Sequence, residues 1–114
     1  MDAAVRQRVL RLLGLGMRSR GVVVGVQQVR EAAKHDKIVL AVVATDVSSH
    51  SLDKIVPLLN GRRVKFVEVP SAAELGAAVG RAETAVVGIV DRQLAAGVSA
   101  LVTSGSSGAI EEDV

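Results

Sequence analysis

The stretch that decides the fold runs from Gly25 to Asp46 and reads GVQQVREAAKHDKIVLAVVATD. After the leading glycine, residues 26–34 are predicted to form a helix. Residues 38–44 follow as an unbroken apolar run of strand length, which predicts a strand that is buried in the centre of a sheet. A helix followed by a buried strand indicates an α/β fold.

Upstream of this stretch, the sequence predicts one helix and one short strand. Asp2 is a helix cap, and apolar residues recur at helical spacing behind it. Gly14 and Gly16 are expected to end this helix, because glycine is the usual residue after a helix end. The β-branched run at residues 22–24 predicts a strand.

Downstream, the alternation of helices and strands continues. Ser48 or Ser49 is expected to cap a helix that Pro57 kinks or splits in two. Ser71 and Glu74 form a predicted capping box for a short helix, and further strands are predicted at residues 64–69 and 85–90. With a last helix behind Asp91, the pattern predicts a central sheet of about four strands with helices on both faces.

Length and composition indicate one domain. The chain has 114 residues, of which 49% are hydrophobic, and it has no cysteine. We expect an α/β domain over residues 1–103 and a flexible acidic tail over residues 104–114. No apolar run is long enough to span a bilayer, and arginines interrupt the first helix, so we expect a cytoplasmic protein without a membrane partner.

The charges are distributed unevenly, although the net charge is only +2. Ten of the 14 basic residues are arginine, and five of them lie in the first 20 residues, whereas residues 111–113 are all acidic. Arginine binds phosphate in a forked geometry, so a basic body suits a polyanion partner. An ordinary solvated surface would show the same charges.

Catalytic and cofactor motifs are missing from the sequence. His35 and His50 have no second histidine or cysteine at metal-ligand spacing. Gly14 and Gly16 lack the third glycine of a dinucleotide fingerprint and follow a helix instead of a strand. Because Phe66 is the only aromatic residue, the RNA-binding modules that stack bases on aromatic rings are excluded. We predict no enzymatic activity, no cofactor and no metal.

The remaining candidate is the helix start behind Gly25. A glycine between a strand and a helix lets another backbone come close, and a helix N-terminus presents free N–H groups. The amides of Gln27 and Gln28 can contact base edges. Several nearby basic residues are candidate phosphate ligands: Arg18, Arg20, Arg30, Lys34 and Lys37.

The same stretch resembles the signature of the ribosomal L-seven-Ae / L-thirty-e family of kink-turn RNA-binding proteins. That family shows a glycine, polar residues at a helix start, and a lysine before an apolar strand that ends in alanine and a polar pair. A second block, Pro70-Ser71 with Glu74-Leu75-Gly76 and the strand after it, is also similar. The resemblance implies a three-layer α/β/α sandwich around a mixed four-stranded sheet.

The resemblance also implies a function and a site. It implies recognition of sharply bent, kink-turn-like RNA by a non-enzymatic, ribosome-associated protein. Family members make this contact with the residues that correspond to Gln27 and Gln28, with the position one turn later and with the lysine before the strand. The loop after the Leu-Gly helix closes over the bulged nucleotides. In this chain the later positions are Glu31, Lys37, Gly80, Arg81, Ala82 and Glu83.

Two other functions stay open at the level of sequence. Glu31 stands where RNA-binding members carry lysine, and with the small net charge it favours a protein–protein interaction module with weak or no RNA binding. A small enzyme or nucleotide-binding protein is the third hypothesis, which the missing acid–base and nucleophile sets disfavour.

Overall fold

A computed structural model describes residues 1–106, and the side chains of residues 1–103. Of the predicted acidic tail, residues 107–114 lie outside the described residues. The described chain alternates helices with strands, as the sequence predicts. The elements are α1 (Ala3–Arg18), β1 (Val22–Val24), α2 (Val26–Lys34), β2 (Leu40–Ala44), α3 (Ser49–Gly61), β3 (Lys65–Val69), α4 (Ala72–Ala78), β4 (Val86–Ile89) and α5 (Arg92–Ser106).

The four strands form one mixed sheet in the order β1-β4-β2-β3. Strands β2 and β3 are parallel, with Ala44 opposite Val69, whereas β4 runs antiparallel to both of its neighbours. Strand β4 is last in the chain but lies between β1 and β2. The mixed four-stranded sheet is therefore confirmed.

Helices cover both faces of the sheet, which confirms the three-layer α/β/α sandwich. Alternate residues of each strand point to opposite faces, so Val87 and Ile89 pack under α1, α4 and α5, and Val86 packs under α2 and α3. The largest side chains without solvent exposure include Leu13, Ile55 and Leu75. Shortening a leucine or isoleucine of this kind to alanine costs about 2–5 kcal/mol of stability.

Helix α1 is longer than the sequence predicts. The expected end at Gly14 and Gly16 is wrong, because the helix continues to Arg18. Both glycines allow close packing: a Cβ on Gly14 would lie 3.0 Å from the carbonyl oxygen of Ala78, and one on Gly16 would lie 2.5 Å from Leu94 Cδ2. These glycines bring α1 against α4 and α5 without ending the helix.

Most of the predicted helix starts are confirmed by hydrogen bonds. The Ser48 side chain accepts from the Ser51 N–H, and the Asp91 carboxylate accepts from the first turn of α5. Ser71 accepts from the Glu74 N–H, but the Glu74 carboxylate pairs with an arginine of α1 and does not complete a capping box. Pro57 does not split α3, which is one helix.

Candidate nucleic-acid interface

Two candidate loops lie at the end of the sheet where β1 and β2 end and β4 begins. The Gly25 N–H donates to the Val86 carbonyl oxygen at 3.0 Å, and the Ala44 N–H donates to the Ala85 carbonyl oxygen at 2.8 Å. Because residues 80–83 come just before β4, the start of α2 and this loop belong to the same end of the sheet. We call residues 25–28 and 80–83 together the two-loop site.

A glycine with a positive φ angle lies in each half of the two-loop site. Gly25 has φ +94° and ψ 157°, and Gly80 has φ +78°. A Cβ at either position would meet no protein atom within 4 Å. The backbone conformation, and not packing, therefore requires glycine, and the space in front of both residues is open to a ligand.

The N-terminus of α2 is well suited to bind an anion. No side chain caps its first N–H groups within the described part of the chain, and its first turn contains no acidic residue. The first N–H groups of a helix have no partner inside the helix and lie at the positive end of its dipole. A phosphate placed here would accept hydrogen bonds from them.

Gln28 is held so that its amide acts as a donor towards solvent. Its Oε1 accepts a hydrogen bond from the Val24 N–H at 3.4 Å. Backbone groups alternate in direction along a strand, and the Gly25 N–H is bonded to β4, so the Val24 N–H faces the free edge of the sheet. This bond uses the oxygen of Gln28 and leaves its NH₂ group for a ligand. Gln27 is exposed beside it and has no side-chain partner among the described residues.

Glu31 and Lys37 share a shallow depression with Gln28. The Glu31 carboxylate Oε2 lies 3.4 Å from Nδ1 of His35, which also contacts the Glu31 carbonyl oxygen at 2.9 Å, and both side chains are largely exposed. Lys37 is exposed after the end of α2. An acidic group and a basic group thus lie one helical turn or more beyond the side-chain amides of Gln27 and Gln28.

The other basic residues of α2 have different environments. Lys34 is exposed in the last turn, about 10 Å along the helix from Gln27. Arg30 is half-buried and donates from Nη1 to the Lys54 carbonyl oxygen. Arg30 therefore joins α2 to α3 through one of its five N–H donors.

Residues 80–83 are held against α4 by the backbone. The Arg81 N–H donates to the Gly76 carbonyl oxygen at 2.8 Å, and the Thr84 N–H donates to the Ala72 carbonyl oxygen at 3.1 Å. A Cβ on Gly76 would lie 2.4 Å from the Cα atom of Glu83, so the loop needs glycine on α4. The exposed side chains of the loop are those of Arg81, Ala82 and Glu83.

Arg18 and Arg20 lie away from the helix start at Gly25. Arg20, with φ +61°, is in the turn that enters β1, and Gly25 follows the other end of this three-residue strand, about 10 Å away. Arg18 is the last residue of α1 and lines a groove between α1 and α4 whose wall also includes Gly80. Arg18 thus approaches the second half of the two-loop site, not the first.

One contributor to the site is clear only in the structure. The Asp46 carboxylate accepts a hydrogen bond from the Ala72 N–H at 2.8 Å. Ala72 is the first residue of α4 and lies 26 positions further along the chain. This bond fixes the end of β2 to the helix that supports residues 80–83. No sequence signal pairs these two positions.

Two further features, a group of metal ligands and a membrane-spanning helix, are not found among the described residues. Within them no three His, Asp or Glu side chains are grouped as metal ligands would be. No helix in the part of the chain that the structure describes is long and apolar enough to cross a membrane.

Comparison with known proteins decides the family. The family model described as "Ribosomal protein L7Ae/L30e/S12e/Gadd45 family" matches residues 7–98, which is most of the chain. The protein belongs to this family. The L7Ae-type resemblance of the Gly25–Asp46 stretch is therefore confirmed, and the match includes both halves of the two-loop site.

Relatives and solved structures agree with this assignment. The RNA-binding protein YlxQ of Bacillus subtilis (strain 168) is 32% identical over 84 residues, which are 74% of this chain and 84% of YlxQ. A protein of unknown function from Bacillus halodurans C superposes with a TM-score of 0.76 at 28% identity, over 82% of this chain and 95% of that one. The 15.5kD RNA binding protein of Giardia lamblia has the same TM-score at 20% identity, over 91% and 89% of the two chains, and shows the shared fold.

Proposed function

We propose that this L7Ae-family protein is a non-enzymatic, cytoplasmic RNA-binding protein that recognises kink-turn-like RNA in a ribosome-associated setting. The family and the relative YlxQ, itself named an RNA-binding protein, support RNA binding. One structural observation carries the proposal of a site. Gly25 and Gly80 both have a positive φ and open space in front of them, and Gly25 begins a helix that no side chain caps within the described residues.

The residues of the two-loop site have distinct roles in this proposal. The NH₂ group of Gln28 donates to guanine acceptors such as O6 or N7, while Gln27 reads a neighbouring base edge. The N–H groups at the start of α2 bind a phosphate between them. Residues 80–83 close over nucleotides that leave the stack, and Arg81 binds a phosphate there.

The remaining predicted site residues lie around this centre. Lys37 shares the depression with Gln28, and Lys34 is further along the same helix, so both are placed to hold phosphates behind the bend. Arg18 reaches the side of Gly80. Arg20 lies in the turn before β1, at the opposite end of this strand from Gly25.

A gel shift tests the RNA class. A stem with a bulge and tandem sheared G·A pairs is compared with the same stem in which those pairs are Watson–Crick. We expect a complex with the first RNA at concentrations where the second remains free. Equal binding to both RNAs would contradict kink-turn recognition, and absent binding to both would contradict RNA binding at this site.

The substitution Gln28→Glu tests the donor role. A glutamate keeps the oxygen that accepts from the Val24 N–H, so the local structure is preserved, but it replaces the NH₂ donor by a charged acceptor. We expect a loss of specific affinity of about 1–3 kcal/mol or more, measured by titration with labelled kink-turn RNA. Gln93→Glu introduces the same charge on exposed α5 and should change the affinity little. Equal losses in both variants would show a general charge effect instead of base contact.

A protein–protein interaction module remains the second candidate, because the exposed Glu31 lies next to the proposed base contacts. This function predicts that a tagged protein retains a protein partner after nuclease treatment. It also predicts that Glu31→Gln weakens that complex.

A further inference from the structure

Helix α1 presents a stripe of arginines that the two-loop site does not include. Arg8, Arg11 and Arg18 recur with Leu15 at spacings of three and four residues, which places all four on one side of the helix. All four are exposed. We call these four residues the α1 stripe.

The arginines of the α1 stripe have no ion-pair partner among the side chains that the structure describes. Arg6, on another side of α1, pairs with Glu74 at 3.0 Å. Among residues 1–103, by contrast, no carboxylate lies within 4.0 Å of Arg8, Arg11 or Arg18. Like charges three residues apart on a helix repel each other and are slightly destabilising. The arginines therefore do not serve stability, and their charges are available to an anionic partner.

The stripe borders the groove between α1 and α4. Arg11 and Arg18 form its rim on the α1 side, and its wall includes small residues of α4 such as Ala77. The groove has a volume of about 740 Å³ and includes Gly80, the first residue of the second half of the two-loop site. A ligand bound at that site could thus continue along α1 without leaving the protein surface.

We propose that the α1 stripe binds the phosphates of an RNA stem that leaves the two-loop site past Gly80. The distance from Arg8 to Arg18 along the helix is about 15 Å. An A-form RNA strand carries one phosphate for about every 3 Å of helix axis, so this length faces about five phosphates of one strand. The forked guanidinium group suits phosphate oxygens, and contacts of this kind position a duplex without reading its sequence.

The apolar content of the surface favours nucleic acid over a protein partner. Leu15 and Met17 are the large apolar side chains exposed on α1. A stable protein interface buries about 800 Å² on each partner around an apolar centre, which is more than two such side chains provide. A surface of arginines with little apolar area is typical of phosphate binding.

The proposal rests on the proposed function, and it is tested with two RNAs and one double variant. The short RNA contains only the bend and its G·A pairs with minimal stems, and the long RNA extends each stem by half a helical turn or more. Dissociation constants are measured by fluorescence anisotropy from 50 to 200 mM salt for the wild type and for Arg8→Gln/Arg11→Gln. Arg63→Gln removes one exposed charge from the turn between α3 and β3 and is the control.

For the long RNA, we expect the wild type to lose affinity more steeply with salt than the double variant. Two lost phosphate contacts reduce the slope of log K against log salt by roughly 1.4–1.8, which is about a tenfold difference over this fourfold range of salt. The short RNA should bind both proteins with nearly equal affinity, and Arg63→Gln should follow the wild type with both RNAs.

The outcomes separate this proposal from the function on which it rests. If the double variant has the slope of the wild type with the long RNA while both bind the short RNA, the α1 stripe does not contact RNA but the two-loop site does. If neither RNA binds, both proposals fail. If RNA binding is unchanged but the double variant loses an acidic protein partner, the stripe is a protein interface and this proposal is overturned.

Discussion

Glu31 lies one turn behind Gln28 in the depression that also contains Lys37. Its carboxylate pairs with His35, and the pair is exposed on both sides. An exposed pair of this kind contributes at most about 1 kcal/mol to stability. The carboxylate is therefore not needed for the fold, and its charge opposes the approach of a phosphate to this part of α2.

The substitution Glu31→Lys should strengthen RNA binding. It removes one repulsive charge and adds one phosphate ligand, so the slope of log K against log salt should become steeper by about 1. Isothermal titration with the kink-turn RNA at several salt concentrations measures both the affinity and the slope.

Glu68→Lys is the matched control, because Glu68 is also exposed but lies on β3, the edge strand opposite β1. A similar gain in both variants would show that net charge alone raises the affinity. No gain at position 31 would remove Glu31 from the RNA-binding surface.

For single residues, the sequence predicted which side chains belong to the candidate site but not how those side chains are oriented. It singled out Gln28 as a base-contacting amide, and only the fold shows that its oxygen is already used by the Val24 N–H. It likewise offered Arg30 as a phosphate ligand, although that side chain donates to Lys54 on α3. Both hydrogen bonds involve residues that the sequence pattern does not identify as neighbours.

Helix α4 and residues 80–83 are packed together as one structural unit. Backbone bonds from Arg81 and Thr84 return to α4, and the Cα atom of Glu83 lies where a side chain on Gly76 would begin. The position of the loop is thus set by the absence of a side chain on the helix beneath it.

The substitution Gly76→Ala should displace this loop. A Cβ at 2.4 Å from the Glu83 backbone cannot be accommodated by a rotamer change, so we expect a loss of about 1–3 kcal/mol in the free energy of unfolding. RNA affinity should fall as well, because the loop forms half of the proposed site. Chemical denaturation and RNA titration measure the two effects.

Gly97→Ala serves as the control for helix propensity. A Cβ there would lie 3.5 Å from Leu12 Cδ1, an ordinary contact, so the variant should be neutral or more stable by up to about 1 kcal/mol. If Gly76→Ala were as stable as Gly97→Ala, the close approach would not be essential for the loop.

Over the whole molecule, the mixed order of strands brings distant segments to one end of the sheet. Gly25 is bonded to Val86, so the first half of the two-loop site lies beside the strand that follows its second half, although Gly25 and Gly80 are 55 positions apart. A ligand that contacts both halves binds only the folded protein and should stabilise the fold by mass action.

Kink-turn RNA should therefore raise the melting temperature. At free RNA of ten times the dissociation constant, the stabilisation is about 1.4 kcal/mol, which corresponds to roughly 5–10 °C for a domain of this size. Scanning calorimetry with the kink-turn stem and with its Watson–Crick counterpart measures the difference. An equal shift with both stems would indicate binding that does not depend on the bend.

The sequence by itself determined the class of structure and most of its elements. Apolar runs of strand length and helix caps such as Ser48 and Asp91 are local signals, so the α/β alternation could be predicted from neighbouring residues. The wrong predictions came where a local signal served a distant contact. Gly14 and Gly16 were predicted to end α1, but glycine is needed at these positions because α4 and α5 pack closely against the helix.

Only the tertiary structure decided the order of the strands and the shape of the site. The position of β4 between β1 and β2 depends on the free energy of burying both sheet faces, a property of the whole chain that no window of sequence contains. For the same reason, the pairing of Gly25 with the start of β4 and the bond from Ala72 to Asp46 appear only in the fold. The residues of the candidate site were visible in the sequence, whereas their arrangement came from packing.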